Sequence, residues 1–311
     1  MDNRRVGLVT VTYNSGTVIE EFVDSVLKQD HANLILYVID NNSADDTLQR
    51  LAKYADGRIS VFRSPQNLGV AEGNNIGIRS AFRDQCDLVL LINNDTVFDE
   101  KLVASLIEGL DRQQCEIAVP KILFFNETDK IWAAGGYFSA YRGSARHFGE
   151  NQKDDGRFDT PRRINYSPTC CMLIKKEVFE RVGMMDANYF VYFDDTDFCN
   201  RAERLGIRMF YLPEARMLHK VSSLTGLESD FTYRYMVRNH VYYLLKNFPR
   251  WQLLYYLPAF QFHIFTKFLL RMRNPKAFGV AQKAFAEGFS HFAATAGTRV
   301  ASPPLVSNQL R

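Results

Sequence analysis

The chain has 311 residues, of which 46% are hydrophobic, so it is long enough for one large domain, or one domain with an appendage, around a substantial core. Its formal net charge of +3 is unevenly distributed: residues 226–311 hold 11 Lys or Arg and 3 Asp or Glu, whereas residues 1–225 hold 27 and 32. Neither a nucleic-acid-binding motif nor a uniformly basic domain accompanies this charge, so we expect no nucleic acid as a partner.

The cysteines and the N-terminus both favour a cytoplasmic protein. The five cysteines form no CxxC pair and no metal-ligand spacing, and their odd number favours reduced thiols. The first 14 residues contain no apolar stretch of the ~7–15 residues that a signal peptide needs, so we expect no signal peptide.

Strands and helices are predicted to alternate in the first third of the chain. Helical periods of apolar residues predict helices at residues 17–28, 43–55, 68–82 and 99–110. Ser43 is the expected N-cap of the second of these helices. Continuously apolar runs predict strands at residues 6–12, 34–39, 59–64 and 87–92. This alternation is typical of parallel βαβ units whose strands are covered by helices on both faces.

Three of the predicted strands end on polar residues, namely 12–14 (TYN), 40–42 (DNN) and 93–95 (NND). In open parallel sheets, ligands bind outside the carboxyl ends of the strands, near the point where the strand order reverses. Three polar strand ends on one edge of one sheet therefore predict a binding site there.

The remainder of the chain is less regular. Helices are predicted within 193–206 and beyond residue 226, with Pro249, Pro258 and Pro275 as breaks and a loose tail over 296–311. The apolar window 251–270 contains Gln, His, Lys and a central proline, so we expect it to lie in a membrane interface rather than to span a bilayer. Strands are predicted within 117–125, 130–139, 168–183 (followed by a helix) and 207–220.

Several acidic residues have both a structural and a chemical interpretation. Asp95 either belongs to a strand-end turn or, with Asn93, provides oxygen ligands to a hard divalent cation. Asp40 either caps the next helix or accepts a hydrogen bond from a base or ribose. The segment 67–75 (NLGVAEGNN) would allow a helix N-terminus to approach a phosphate.

Three acids within four residues, at positions 194, 195 and 197, mark the start of a predicted helix. Helix capping and an Asp197–Arg201 pair would explain one or two of them. Mutual repulsion among three would raise one pKa and produce a carboxylate able to take a proton from an alcohol. His219 ends the strand that follows, where it is either structural or a ligand.

Seven segments occur in the order TVTYN, VIDNNSADDT, NLGVAEGNNIGI, LLINNDT, AAGG, YFDDTDFCNRAERLG and ARMLHK. In this order the sequence resembles the family-two glycosyltransferases of the GT-A fold, especially the bacterial rhamnosyltransferase-like branch, over about residues 6–248. The resemblance implies an α/β fold with a mostly parallel, Rossmann-like sheet flanked by helices. It further implies a catalytic domain over 1–225, with a nucleotide-sugar half to about 114 and an acceptor half from 115, and a helical extension over 226–311.

The resemblance also implies roles for individual residues. Asp195 matches the catalytic base, and Asn93, Asp95 and His219 match a site for Mg²⁺ or Mn²⁺. Asp194, Gly135 and Gly136 match acceptor-binding positions. The positions that match nucleotide-sugar contacts are Thr12, Tyr13, Asn14, Asp40, Asn42, Asn67, Gly69, Asn74, Asn94 and Asp95. The sequence departs from the family pattern where NND replaces DxD and where Asp194 replaces the usual Glu.

The implied function is inverting transfer of a sugar, with dTDP-rhamnose as the best guess for the donor, to a saccharide or lipid-linked acceptor in cell-surface polysaccharide synthesis. A nucleotidyltransferase and a non-catalytic nucleotide-sugar-binding protein are the alternatives, although residues 12–18 lack the Arg-bearing phosphate loop of the former. The basic, aromatic region 226–311 either anchors the protein on the cytoplasmic face of the inner membrane or packs as helices, on the catalytic domain or in a homodimer. The candidate anchor residues are Arg250, Trp251, Lys267, Arg271 and Arg273.

Overall fold

The structure is a computed structural model that describes residues 2–220, 229–272 and 274–295. Within these ranges the strands are β1 (Val6–Thr12), β2 (Leu34–Asp40), β3 (Ile59–Arg63), β4 (Leu88–Ile92), β5 (Thr96–Phe98), β6 (Ile117–Phe124), β7 (Ile131–Ala133), β8 (Gly136–Ser139), β9 (Ser144–His147), β10 (Arg162–Ile164), β11 (Cys171–Lys175) and β12 (Met209–His219). The helices are α1 (Ile19–Leu27), α2 (Thr47–Leu51), α3 (Gly69–Arg83), α4 (Leu102–Arg112), α5 (Lys176–Val182), α6 (Asp194–Arg204), α7 (Asp230–Asn247), α8 (Arg250–Lys267) and α9 (Pro275–Thr295).

One large sheet forms the centre of the fold. Its order is β10-β12-β6-β11-β4-β1-β2-β3, with β5 paired to β12 and β7 to β6. The strands of the first third are parallel, as predicted, and their register sets Thr12 opposite Asp40. Strand β11 is antiparallel to both β4 and β6 and joins the two halves of the sheet. The hairpin β8–β9 forms a separate two-stranded sheet.

Helices cover both faces of the sheet and create two cores. Helices α1 and α4 bury apolar side chains on one face, and α3, α5 and α6 do so on the other. The glycines of α3 allow close packing: a Cβ atom at Gly73 would lie 2.8 Å from Val11, and one at Gly77 would lie 2.2 Å from Val9. The glycines that weaken the helical pattern of this segment therefore bring α3 close to β1.

Three details of the sequence prediction for residues 1–225 are wrong. Helix α2 begins at Thr47 with Asp46 at the N-cap, and the hydroxyl of Ser43, the predicted cap, instead accepts a hydrogen bond from the Asn14 amide at 2.9 Å. Strand β3 is an exposed edge strand rather than one covered on both faces. The single strand predicted over 130–139 is two strands, which pair with different partners.

The last helices differ in how deeply they are buried. Most residues of the second half of α7 are buried, whereas Ile264 is the buried residue of α8. Pro258 lies inside α8 and does not break it, which corrects the prediction. Proline cannot donate a hydrogen bond to the carbonyl of Leu254, but both residues are exposed, so water can satisfy that carbonyl.

The predicted tail over 296–311 lies outside the described residues. All five cysteines are buried free thiols, as predicted: Cys86, Cys115, Cys170, Cys171 and Cys199. Within the described ranges, no helix has the length and hydropathy needed to cross a bilayer.

Candidate active site

A buried carboxylate organises the loops after β1 and β2. Asp40 accepts hydrogen bonds from the Thr12 hydroxyl at 3.0 Å and from the Ser43 amide at 3.1 Å, and its side chain is fully buried. Asn14 joins the same two loops, because its side-chain oxygen accepts from the amide of Ala44 at 2.8 Å. The buried side chains of Thr12 and Asp40 therefore fix the conformation of the two loops at this edge of the sheet.

The exposed members of the predicted donor site surround that carboxylate. Tyr13, Asn14 and Asn42 are exposed at the strand ends. The two asparagines adopt left-handed backbone angles, with φ of 53° and 65°, which Asn tolerates better than most residues. These three side chains are thus open to solvent at this edge, whereas Thr12 and Asp40 are buried.

The predicted donor loop contacts the segment that precedes the acidic helix. Gly69 has φ of +81°, its amide donates to Asn67 Oδ1 at 2.9 Å, and a Cβ atom there would lie 2.3 Å from the carbonyl oxygen of Phe190. The amide of Val70 donates to that same oxygen at 2.6 Å. Only glycine allows this approach. Asn74 is buried on α3, one turn further on.

The third polar strand end brings Asp95 to His219. Asn94 donates from its side chain to the carbonyl of Val11 at 2.5 Å and so holds this segment against β1. Strand β5 pairs with the end of β12, with Thr96 opposite His219. As a result, Asp95 Oδ1 lies 3.2 Å from His219 Nε2.

The Asp95–His219 pair is almost completely buried, with 11% and 7% of the side-chain surface exposed. Burial disfavours a charged imidazole, but nearby Cys170 and the hydrogen bond with Asp95 outweigh burial and raise the pKa of His219 to about 10. The backbone of Asn93 is fixed beside this pair, because its amide donates to the Cys170 carbonyl at 3.0 Å.

The same pair fits a divalent cation that is shared with a phosphate ligand. Within the described chain, no three His, Cys, Asp or Glu side chains converge to hold a metal ion by themselves. Mg²⁺ and related ions usually bind one or two protein ligands and take the rest from substrate phosphates and water. A carboxylate and an imidazole can both serve as such protein ligands, and Asp95 and His219 lie side by side at the carboxyl edge of the sheet.

The three acids of α6 have different environments. Asp197 is fully buried and forms ion pairs with Arg201 at 2.8 Å and with Lys246 of α7 at 2.8 Å. These cations, with the amide of Asn247 at 3.0 Å, outweigh burial and lower its pKa. The predicted Asp197–Arg201 pair is confirmed, and Asp197 serves to hold α7 against α6.

The neighbouring acids differ in their hydrogen-bond donors. Asp195 accepts from the Tyr166 hydroxyl at 3.2 Å and from the Thr196 amide and hydroxyl at 2.6 and 3.1 Å. Asp194 is buried, and no donor among the described residues reaches its Oδ2. Burial and the adjacent Asp195 raise the pKa of Asp194 to about 8.

These environments act differently on the charge of the two acids. Burial also raises the pKa of Asp195, but the donors from Thr196 and Tyr166 favour its ionised form. Asp195 is therefore the acid whose surroundings stabilise a carboxylate, whereas burial and the adjacent Asp195 favour the protonated form of Asp194. Two adjacent acids with separated roles are a recurring arrangement in acid–base catalysis.

A row of three aromatic side chains, the aromatic row, joins the two acidic centres. Trp132 packs edge-on against His219, with ring centroids 4.5 Å apart, and against His147 at 4.9 Å. His147 in turn contacts Tyr166 at 5.7 Å, and Tyr166 binds Asp195. A chain of direct contacts thus connects the Asp95–His219 pair with Asp195.

Gly135 and Gly136 lie at the Asp195 end of this site. Gly135 has φ of +72°, and a Cβ atom at Gly136 would lie 2.4 Å from the carbonyl oxygen of Arg146. Gly136 also forms a β-bridge with Tyr166. The turn that was predicted to contact an acceptor therefore lies beside the hydroxyl that binds Asp195.

A strained segment leads into the acidic helix. Phe190, Tyr192 and Phe193 have φ angles of 66°, 63° and 68°, which cost energy in bulky residues. The side-chain amide of Asn239, buried on α7, lies 2.9, 2.6 and 3.0 Å from the carbonyl oxygens of Tyr189, Val191 and Tyr192. Helix α7 therefore holds this segment, and with it the start of α6, in place.

The Asn239→Ala variant should lose stability by about 2 kcal/mol or more, because buried carbonyls lose their donor. We also expect catalytic turnover to fall, since α6 begins three residues after Val191. Urea unfolding and initial rates measure both effects. Asn33→Ala is the control: its amide donates to one carbonyl, of Asn3, and its loss should cost less than about 0.5 kcal/mol. Equal losses in both variants would contradict this role of Asn239.

Residues 8–183, more than half of the 311 residues, match the model of glycosyl transferase family 2. The chain belongs to glycosyl transferase family 2. It is an enzyme of glycan biosynthesis, which excludes the nucleotidyltransferase and the non-catalytic binding protein considered above.

This glycosyltransferase is also similar to curated proteins along most of its length. It is 25% identical to dTDP-rhamnosyl transferase RfbF of Shigella flexneri, over 79% of this chain and 81% of that protein. It is 22% identical to the N-acetylglucosaminyl-diphospho-decaprenol L-rhamnosyltransferase of Mycobacterium tuberculosis, over 70% and 77%. The resemblance to family two and to its rhamnosyltransferases is thus confirmed.

Solved structures confirm the GT-A fold. The mannosyltransferase PcManGT of Pyrobaculum calidifontis, in complex with GDP-Man and Mn²⁺, superposes with a TM-score of 0.57 at 17% identity, over 96% of this chain and 77% of that one. TarS of S. aureus, residues 1–349 with UDP-GlcNAc, gives a TM-score of 0.59 at 16% identity, over 93% and 81%.

The sequence did not reveal several residues of this glycosyltransferase's site. Trp132, His147 and Tyr166 lie in segments that contain no chemical motif. Asn239 lies far along the chain, in a helical region that the sequence analysis interpreted only from its charge and aromatic content. The signal that the sequence offered for Asn239 is an amide within a stretch rich in aromatic residues.

Proposed function

We propose that this glycosyltransferase is an inverting enzyme that moves a sugar from a nucleoside diphosphate to an acceptor hydroxyl. The observation that carries the proposal is Asp195, which accepts hydrogen bonds from Tyr166 and Thr196 and is connected through the aromatic row to Asp95 and His219. One end of this site suits the leaving diphosphate, and the other end suits a nucleophile that must lose a proton.

The donor binds along the carboxyl edge of the sheet. Tyr13, Asn14 and Asn42 contact the base and ribose, and the loop at Gly69 approaches the phosphates. Mn²⁺ or Mg²⁺, held by Asp95 and His219 and assisted by Asn93, would neutralise the charge that develops on the diphosphate.

Asp195 is the general base. It accepts the proton of the acceptor hydroxyl as that oxygen bonds to the anomeric carbon, on the face opposite the leaving diphosphate. The bond from the anomeric carbon to the diphosphate oxygen breaks in the same step, so the anomeric configuration inverts. Neutral Asp194 can donate a hydrogen bond to the acceptor, and the turn at Gly135 and Gly136 limits where the acceptor can lie.

The named relatives support a finer assignment of substrates. One is a dTDP-rhamnosyl transferase, and another is a rhamnosyltransferase whose name specifies a diphospho-decaprenol-linked sugar. We therefore favour dTDP-rhamnose as the donor and a saccharide or lipid-linked sugar as the acceptor, in cell-surface polysaccharide synthesis. A lipid-linked acceptor would place the enzyme on the cytoplasmic face of the inner membrane.

Donor binding and product stereochemistry test this proposal. Thermal unfolding with dTDP-rhamnose, a UDP-sugar and a GDP-sugar, each with and without Mn²⁺, should give the largest stabilisation with one donor plus Mn²⁺, because a ligand that binds only the folded state raises its stability. NMR of the product should show an inverted anomeric centre. A product with retained configuration, or no stabilisation by any nucleotide sugar, would refute the proposal.

The Tyr166→Phe variant should change the pH dependence of transfer. The Tyr166 hydroxyl donates to the ionised form of Asp195, so its removal raises the pKa of that carboxylate. Because activity requires the carboxylate, the acid limb of kcat/KM moves to higher pH, and the loss is greater at pH 6 than at pH 8. Tyr54→Phe, remote from the site, is the control. An unchanged acid limb would contradict the role of Tyr166.

A further inference from the structure

The C-terminal helices contain a long segment without acids. Residues 231–286 hold nine Lys or Arg and no Asp or Glu. Some of these cations serve the fold, since Arg234 pairs with Glu287 at 2.7 Å and Lys246 with Asp186 at 2.6 Å. Arg250, Lys267 and Lys283 are exposed. The surface of this segment is therefore positively charged.

Helix α8 presents an apolar face to solvent. Trp251, Leu254 and Phe262 are 70%, 80% and 67% exposed. Ile264, on the opposite side, packs with Val237. The exposed face recurs every three or four residues along the whole helix, as one side of an α-helix does. We call this face the α8 stripe; its members are Trp251, Leu254, Tyr255, Pro258, Phe262 and Phe265.

The α8 stripe combines features that suit the interface of a bilayer. Arg250 precedes the stripe, and Lys267 follows it. Between Phe262 and Phe278 lies an open apolar groove of about 570 Å³. An apolar, aromatic face bordered by cations binds the headgroup and acyl boundary of anionic membranes. An anionic membrane repels acidic side chains, and residues 231–286 contain none.

One hairpin links the stripe to the active site. Tyr256 donates from its hydroxyl to the carbonyl of Ala140 at 2.8 Å, at the turn between β8 and β9. At the other end of β8, Gly136 bridges to Tyr166, which binds Asp195. A four-residue strand spans ~13 Å. Helix α8 and Tyr166, which binds the general base, thus contact opposite ends of one short hairpin strand.

We propose that the α8 stripe docks on an anionic lipid bilayer and holds the acceptor end of the active site close to the headgroups. Docking itself depends only on the surface of α8. The further claim, that docking brings the active site to a lipid-linked acceptor, rests on the proposed function. The enzyme binds the membrane from one side through the stripe, with Arg250 at the headgroups, whereas Lys267 packs over the ring of Tyr233 on α7.

Co-sedimentation of the full chain with vesicles tests this proposal. Wild-type protein should bind vesicles that contain both phosphatidylcholine and phosphatidylglycerol at least tenfold more tightly than it binds vesicles of phosphatidylcholine alone. High salt should weaken binding to the anionic vesicles. Leu254→Glu and Phe262→Glu should each reduce binding at least tenfold. Phe62→Glu is the matched control, because Phe62 is 45% exposed on edge strand β3, and its substitution should leave vesicle binding unchanged.

Three results would overturn the docking proposal. In the first, the wild-type protein stays in the supernatant and does not bind vesicles. In the second, Phe262→Glu binds vesicles as tightly as the wild type. In the third, the wild type is a dimer and Phe262→Glu is a monomer, so the stripe is a dimer interface. Donor-induced thermal stabilisation is measured on the same variants without vesicles. Intact donor binding in the variants shows that they are folded, so their loss of vesicle binding is due to the altered surface. Wild-type protein that binds the donor but not vesicles would refute docking alone, whereas wild-type protein that binds vesicles but no donor would refute the proposed function alone.

Discussion

Asp195→Asn should lower the rate of sugar transfer by about 10³-fold or more, while the affinity for the nucleotide sugar changes little. Asparagine keeps the shape of the side chain and can still accept hydrogen bonds from Tyr166 and Thr196, but it cannot take a proton. The acceptor hydroxyl then attacks without a base. Initial rates with saturating donor measure the loss, and thermal stabilisation by the donor measures the affinity.

Asp194→Asn is the matched control, because it makes the same substitution at the adjacent position. At neutral pH, Asp194 already carries a proton, since burial and the neighbouring Asp195 raise its pKa to about 8. The amide therefore replaces a neutral group, and we expect a rate loss below about tenfold. A larger loss from Asp194→Asn than from Asp195→Asn would reverse the roles of the two acids.

Local patterns were sufficient to predict the sheet and its polar edge. Apolar runs indicate strands, and the helical periods between them indicate helices. In a parallel sheet the carboxyl ends of neighbouring strands lie at the same edge, so the residues that follow the strands come close together. Thr12 faces Asp40 for this reason. The glycines of α3 weakened its pattern, because their role is to let the helix approach Val9 and Val11, which only the packed structure reveals.

Spacing alone did not distinguish the three acids of α6. Their roles depend on groups far away in the chain: Lys246 neutralises Asp197, and Tyr166 donates to Asp195. The prediction that Asp197 pairs with Arg201 required only the helical repeat and is confirmed. The assignment of Asp195 as base came from the family resemblance, and the hydrogen bonds now provide a physical reason for it.

The helices of the C-terminal region have similar compositions but are buried to different extents. Its high content of aromatic and basic residues predicted a membrane anchor or a packed helical pair. Helix α7 is packed, with Asn239 and Lys246 directed at the segment around α6, whereas α8 exposes its apolar face. Average composition could not separate these helices, because both are rich in the same residue types. The domain boundary at residue 225 stays a prediction.

Asp95→Ala should abolish the part of donor binding that depends on Mn²⁺. The NND sequence provides one carboxylate where DxD provides two, so Asp95 carries the negative charge that attracts a cation to this strand end. With this carboxylate gone, His219 would be the remaining member of the pair. We expect the added thermal stabilisation by Mn²⁺ plus donor to disappear, and transfer to fall at least ~100-fold, about 3 kcal/mol in transition-state stabilisation.

Asn93→Ala tests whether that carboxylate acts alone. An amide oxygen is a weaker ligand than a carboxylate, so this variant should retain most of the Mn²⁺-dependent stabilisation and lose it only at low Mn²⁺. Direct binding of Mn²⁺, measured from the free-ion spectrum by electron paramagnetic resonance, gives a readout that does not require turnover. If Asp95→Ala still bound Mn²⁺ with the donor as tightly as wild type, the cation would lie elsewhere, and the proximity of Asp95 to His219 would be structural only.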